Sequence, residues 1–166
     1  RSRGLGDVYK RQIYMIQMKK HKTYKGKYRP KFPKKYKGNY NNIIYRSLWE
    51  RKCMVYFDSN PSILSWSSEE LAIPYFDTIS KRRRRYYPDF LITVKDNTGN
   101  EKVHLIEVKP SKHLKPPVIT KGKRKSTILQ EAQAYYMNRD KFAAAEKWCA
   151  KKDIKFSIWT EKELLF

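Results

Sequence analysis

Asp89, Glu107 and Lys109 lie in the stretch RRYYPDFLITVKDNTGNEKVHLIEVKP, residues 84–110, whose centre KDNTGN has the composition of a tight turn between two runs rich in Val, Ile and Leu. Residues 89–95 and 102–109 are therefore expected to form a β-hairpin. If the turn centres on Thr98, facing residues have numbers that sum to 196, which sets Asp89 opposite Glu107 with Cβ atoms roughly 4.5–5.5 Å apart. Lys109, two residues past Glu107, projects from the same face. A bulge at Gly99 would instead slip the register by one and send the acids to opposite faces. Two carboxylates held that close repel each other unless a cation lies between them, and hard oxygen donors favour Mg²⁺ or Mn²⁺. Such an ion suits phosphodiester hydrolysis: it polarises a phosphoryl oxygen, acidifies a bound water and steadies the leaving alkoxide. Lys109 would orient or deprotonate the water and offset transition-state charge. The plainer reading is of strand-end polar residues, Asp89 in a turn after proline and Glu107 paired with a nearby lysine.

The hairpin needs neighbours to bury its other face. Apolar spacing over IIYRSLWERKCMVYFDS predicts a helix from about 43 to 58, ended by Asn60 and Pro61. Glu50 lies off its apolar stripe and is the candidate third acid, against the alternative of an intrahelical pair with Arg46. Two short strands are expected at about 63–66 and 70–76, the second at an edge because of Pro74. Lys81, Arg82, Arg83, Arg84 and Arg85 then run directly into the hairpin. They read as a basic loop, either merely solvated or clamping a phosphate backbone beside Asp89. The tract from Lys112 to Lys125 reads as a further basic loop. A helix is expected from about Ile128 to Lys151, opened by a Thr127/Gln130 capping box and breaking near Asn138. IKFSIWT gives a last strand, followed by a capped turn at Thr160 and Glu163. The order helix, strands, helix, strand describes an α/β or α+β domain with a mixed sheet flanked by helices.

Composition agrees with an anionic partner. The chain of 166 residues carries 38 Lys and Arg against 16 Asp and Glu, a net charge of +22, which points first to nucleic acid. A membrane surface is the competing polyanion, but no run of about 18 apolar residues is present to span one. Cys53 and Cys149 sit in apolar helical patterns and read as buried thiols of a reducing compartment; with His21, His104 and His113 they do not take zinc-ligand spacing. Residues 1–12, RSRGLGDVYKRQ, resemble translated adaptor sequence, so residues 1–17 are expected to be a non-native leader, with Met15 or Met18 the start. Setting them aside removes four basic residues and one acid, and the excess falls only from +22 to +19. Residues 18–40 are expected to be a basic arm. Between Lys19 and Lys37 it holds ten Lys or Arg and no acid, interleaved with Tyr24, Tyr28, Phe32 and Tyr36, a pattern suited to phosphate contact and base stacking or to a solvated tail. Residues 41–166 are expected to be a single domain.

PDF at 88–90 followed by EVK at 107–109 resembles the PD-(D/E)XK nuclease motif, and Glu50 matches the acid that many of these enzymes contribute from their first helix. YKGKY, KKYKG, IIYRSLWERKCMVYFD, WSSEELAIPY, RRYYPDF and IEVKP together resemble the head-completion nucleases of large tailed phages, closely over residues 24–111 and loosely beyond. The resemblance implies a restriction-endonuclease-like core and Mg²⁺-dependent (or Mn²⁺-dependent) endo- and exonuclease action on packaged DNA. It further implies head and neck proteins as partners and a place in the virion or host cytoplasm. Asp89, Glu107 and Glu50 become expected metal ligands, Lys109 the fourth catalytic group, and Lys81 to Arg85 with Lys112 a DNA contact surface. Gln130 and Gln133 are candidates for the polar residue that the superfamily often supplies from the following helix, against a plain helix-surface role. A transposon-end, junction-resolving or restriction-type endonuclease on the same core remains an alternative, as does a DNA-binding virion protein without catalysis.

Overall fold

The computed structural model describes residues 24–165, so the leader expected at 1–17 and residues 18–23 of the arm lie outside the described residues. The turn at the centre of the chain forms as its composition demands. Asp96 Oδ1 accepts from the backbone N–H groups of Thr98 and Asn100, both at 2.9 Å, and Gly99 supplies the positive φ of +88°. It joins β6 (Phe90–Lys95) to β7 (Glu101–Val108) in unbroken antiparallel register, from Lys95 opposite Glu101 to Phe90 opposite Ile106. Gly99 is absorbed in the turn and makes no bulge. β3 (Ile63–Ser68) pairs antiparallel with β6, and β8 (Lys155–Trp159) pairs parallel with β7, giving a mixed sheet of order β3-β6-β7-β8.

Strand alternation assigns each face of this sheet to one helix. Phe90, Ile92, Ile106 and Val108 face α1 (Leu48–Ser59) and bury Cys53, Met54, Phe57 and Trp66 with them. Leu91, Leu105 and Phe156 face α2 (Lys125–Ala150) and pack with Ala145 and Cys149. β7 is buried at four successive residues, Leu105 to Val108, as a strand covered on both sides must be. Both cysteines are free and buried, and burial pushes the Cys53 thiol up to about 12. No helix among the described residues is long and apolar enough to cross a membrane.

Several expectations are corrected by local chemistry. The first helix begins at Leu48, not near residue 43, because Ser47 caps it: its Oγ accepts from the Glu50 N–H at 3.1 Å and donates to Glu50 Oε1 at 2.8 Å. Ile43–Tyr45 ahead of it form β2, paired with β1 (Gly26–Tyr28). The basic arm, from residue 24 on, is part of the domain. Tyr36 is buried edge-on against Trp66, and Asp58, 2% exposed, gathers the Tyr28 hydroxyl and the Lys31 and Phe32 N–H groups at 3.1, 2.6 and 3.1 Å. Of the interleaved aromatics, Tyr28 and Tyr36 pack against the core, whereas Tyr24 and Phe32 are about half exposed. The tract Lys81–Arg85 is also not a loop, since Arg82–Tyr86 form β5, paired with β4 (Ile73–Asp77) in a separate two-stranded ribbon. The second helix starts at Lys125, with Arg124 as an N-cap that makes no side-chain bond, and it passes Asn138 unbroken. The capping box at Thr127 and Gln130 is not used, whereas Thr160 and Glu163 do cap each other, the Thr160 N–H donating to Glu163 Oε2 at 2.7 Å. The loop expected from Lys112 begins with a single 3₁₀ turn, Ser111–Leu114.

Candidate active site

Asp89 immediately precedes β6, where the chain leaves the β4–β5 ribbon through Pro88, one residue before the register pair of Phe90 and Ile106. Its Oδ2 accepts the Val108 N–H at 2.7 Å, which ties it across to the strand that carries Glu107. Its Oδ1 accepts no hydrogen bond among the described residues. The Asp89 carbonyl accepts the N–H of Glu69, a residue at φ +54° whose carboxylate grips Arg46 in two bonds of 2.9 and 2.8 Å. Glu107 is 4% exposed on the α2 face of the sheet. Tyr86, the last residue of β5, donates its hydroxyl to Glu107 Oε2 at 2.7 Å, and Lys109 donates to Oε1 at 2.9 Å. Asp89, Glu107 and Lys109 therefore meet as the turn arithmetic requires.

Electrostatics bind the group together. Burial, and then the Glu107 carboxylate, hold Asp89 well above the usual carboxylate range, with Glu50 adding to the push, against the Val108 N–H and Lys109. Burial disfavours the Lys109 ammonium, yet Glu107 and the carboxylates of Asp89 and Glu50 outweigh it, so Lys109 is held more firmly protonated than an exposed lysine. Burial likewise pushes the Tyr86 phenol up, helped by Glu107, so Tyr86 stays a donor.

Glu50 is arranged differently. Its two oxygens are committed to the start of α1, one accepting from Ser47 Oγ and the other from the Arg46 N–H at 2.6 Å. Burial raises its carboxyl, and Glu69 contributes to the rise. Among the described residues no three His, Cys, Asp or Glu side chains stand close enough to share one ion, so the expected three-carboxylate set is not assembled. Glu50 flanks the pair, near enough to act on Asp89 and Lys109, and is held back by its capping role. Because Gln serves a capping box as well as Glu, Glu50→Gln is expected to leave the thermal midpoint unchanged while lowering cleavage by about 10–100-fold, the scale for groups that support a metal site from outside. An unchanged rate would leave Glu50 as a cap alone.

The donor set fits a divalent cation on two carboxylates. Asp89 has an uncommitted oxygen, Glu107 retains lone pairs beyond its two bonds, and their repulsion is what an intervening cation relieves. Substrate oxygens and water would complete the shell.

Gln130 and Gln133 are not brought to the site. Both are exposed on the outlying N-terminal half of α2. The residue that α2 does supply is Lys141, whose Nζ stands 5.8 Å from the centre of the Tyr86 ring and which senses Lys109, Glu107 and Asp89. Gln133 lies eight residues before it, about 12 Å along the helix axis. Sequence reasoning missed both Lys141 and Tyr86. For Tyr86 a signal existed in strand alternation through the arginine tract; for Lys141 none did, because its turn of the helix is fixed by how α2 crosses the sheet.

The basic tract is divided by its pleat. Arg82, Arg84 and Tyr86 point one way, and Arg84 is committed to buried Asp77 at 3.0 Å. Arg83 and Arg85 point the other way, register partners of Phe76 and Pro74, and both are exposed. Lys81 in the ribbon turn and Lys112 in the 3₁₀ turn are also exposed.

Two comparisons with known proteins bear on what the chain is similar to. The profile of the family described as TnsA-like endonuclease N terminal matches residues 60–161, a span that holds Asp89, Glu107, Lys109 and Lys141 but not Glu50. The chain is also 40% identical over 146 residues, 86% of its length and 94% of the relative's, to the head completion nuclease of Enterobacteria phage T4.

Proposed function

The chain belongs to the TnsA-like endonuclease family, and from that premise we propose that it is a DNA nuclease of phage head completion, hydrolysing phosphodiester bonds with Mg²⁺ or Mn²⁺ at Asp89 and Glu107. The observation that carries this reading is the meeting of Asp89, Glu107 and Lys109 on adjacent strands, with Asp89 Oδ1 left open. When bound, the ion would polarise the phosphoryl group, acidify the attacking water and steady the leaving oxygen. The protein's own groups do the rest. Tyr86 fixes the rotamer of Glu107, the Val108 N–H fixes that of Asp89, and Lys109, as an ammonium, offsets the charge that builds on the phosphoryl oxygens. Its protonated state favours this role over that of a general base.

DNA reaches the site over the ribbon and the exposed lysines, Lys81 and Lys112 among them. Arg83→Ala and Arg85→Ala are expected to weaken DNA binding and each to lower the slope of log affinity against log salt by about one phosphate contact. Arg84→Ala is expected instead to leave the salt slope nearly unchanged and to lower the thermal midpoint only slightly, since Arg84 pairs with Asp77, whose carboxylate keeps its bonds from Ile79 and Ser80. Fluorescence anisotropy over a salt series together with thermal melts separates the two classes.

Head and neck proteins of the virion are the partners this role requires, and the host cytoplasm or the virion its place of action. The test is to offer the purified chain linear duplex, closed circular duplex, a branched junction and a transposon-end duplex side by side in Mg²⁺. Cleavage of linear and circular DNA without preference for junction or end supports the head-completion reading. Selective cutting of the transposon end would favour the alternative that the family name carries, and binding without cutting would leave a non-catalytic DNA-binding protein.

A further inference from the structure

α2 brings one lysine beside the residues of the site. Lys141 sits half-buried on that helix, its ammonium 5.8 Å from the centre of the ring of Tyr86 in β5, and Tyr86 in turn holds Glu107. The charged groups that face it are Lys109 and Arg84 on one hand, Glu107 and Asp89 on the other. Each of the others has a partner: Lys109 bonds Glu107, Arg84 bonds Asp77, and Asp89 takes the Val108 N–H. Lys141 makes neither an ion pair nor a hydrogen bond among the described residues, and its contact with the ring offers only the weak attraction of a quadrupole. An ammonium partly removed from water, beside two other cations and without an anion of its own, is a cost to the free protein. The folded chain bears that cost next to the carboxylates where a phosphodiester has to lie.

We propose that Lys141 is a substrate-contacting residue that receives a non-bridging phosphate oxygen of the DNA strand beside the Asp89–Glu107 pair. A phosphate there supplies the missing anion, and the three donors of the ammonium accommodate it without a fixed approach. Burial and the neighbouring Lys109 depress the Lys141 ammonium in the free protein, and an incoming phosphate reverses that effect. The ring of Tyr86 thus serves two groups, its hydroxyl aligning Glu107 and its face carrying Lys141. This assignment rests on the hydrolytic reading for its catalytic consequence, while its binding consequence stands independently.

Lys141→Met keeps the stem and removes the charge; Lys141→Arg keeps the charge. DNA affinity is measured in Ca²⁺ across a salt series, and cleavage of the same linear duplex under single turnover in Mg²⁺. Lys141→Met is expected to lower the salt slope by about one contact and to slow cleavage by about 10–100-fold, with Lys141→Arg recovering most of both. Its thermal midpoint without DNA is expected to stay level or rise, since an unpaired half-buried charge has gone, whereas a purely packing role predicts a fall. An unaltered salt slope in Lys141→Met overturns the assignment whatever cleavage does. If the wild-type chain does not cut DNA in Mg²⁺, the hydrolytic reading fails, and the salt slope still decides whether Lys141 meets a phosphate.

Discussion

Asp89→Asn is expected to lower Mg²⁺-supported cleavage of linear duplex DNA by about a thousand-fold or more, the order of loss when a group acting directly on transition-state charge is removed. The same substitution is expected to stabilise the metal-free protein. Asn keeps an oxygen for the Val108 N–H, so the tie between β6 and β7 survives, while a half-buried carboxylate repelled by Glu107 and Glu50 disappears. About 1 kcal/mol gained corresponds to a rise of roughly 2–4 °C in the thermal midpoint for a chain of this length. Activity and stability thus move in opposite directions, as expected of a side chain kept for chemistry at the expense of packing. Melts in EDTA and cleavage of end-labelled DNA in Mg²⁺ on one preparation check both. A variant that is both inactive and less stable would instead mark Asp89 as a structural strand-end residue.

The second large effect lies far from the reaction. Asp58→Ala is expected to cost about 3 kcal/mol, or roughly 6–12 °C in midpoint, because it strands two backbone N–H groups and the Tyr28 hydroxyl at a site only 2% exposed. Loss of that anchor frees the segment carrying β1, and limited proteolysis before Tyr36 should accelerate. Asp58→Asn, which retains one accepting oxygen, should fall between. A midpoint within 1 °C of wild type would show that the basic segment is not held to the domain through Asp58.

How much of this was legible in the sequence depends on the reach of each signal. The hairpin was readable because everything that sets it is local: Asp96, Thr98 and Gly99 close the turn, and the turn alone fixes which residues face each other across β6 and β7. The placement of Asp89 opposite Glu107, with Lys109 alongside, follows from counting. Glu50 stands out in the sequence as an acid off the apolar stripe, but its cap with Ser47 is hidden there because helical spacing reaches back to Ile43, five residues before the helix begins. Ile44 and Tyr45 match a helical stripe as well as they match a strand, and pairing with β1 decides for the strand. The arginine tract looked like a loop because charge obscured its period of two. Pairing with β4 reveals that period, and with it the division between Arg84, paired with Asp77 on one face, and Arg83 and Arg85 on the other. Lys141 is beyond the reach of any local rule: its place beside Tyr86 depends on how α2 packs against the β4–β5 ribbon, which is a tertiary fact.

The meeting of Asp89 and Glu107 has meaning only if a cation belongs between them. One purified sample should be assayed on linear duplex DNA in Mg²⁺, then with chelator, then with Mg²⁺ restored, and DNA binding followed throughout by anisotropy. The predicted result is cutting, no cutting and cutting again, with binding retained at every stage. Cutting that continues under chelator, or binding that never leads to cutting with any divalent ion supplied, would contradict it.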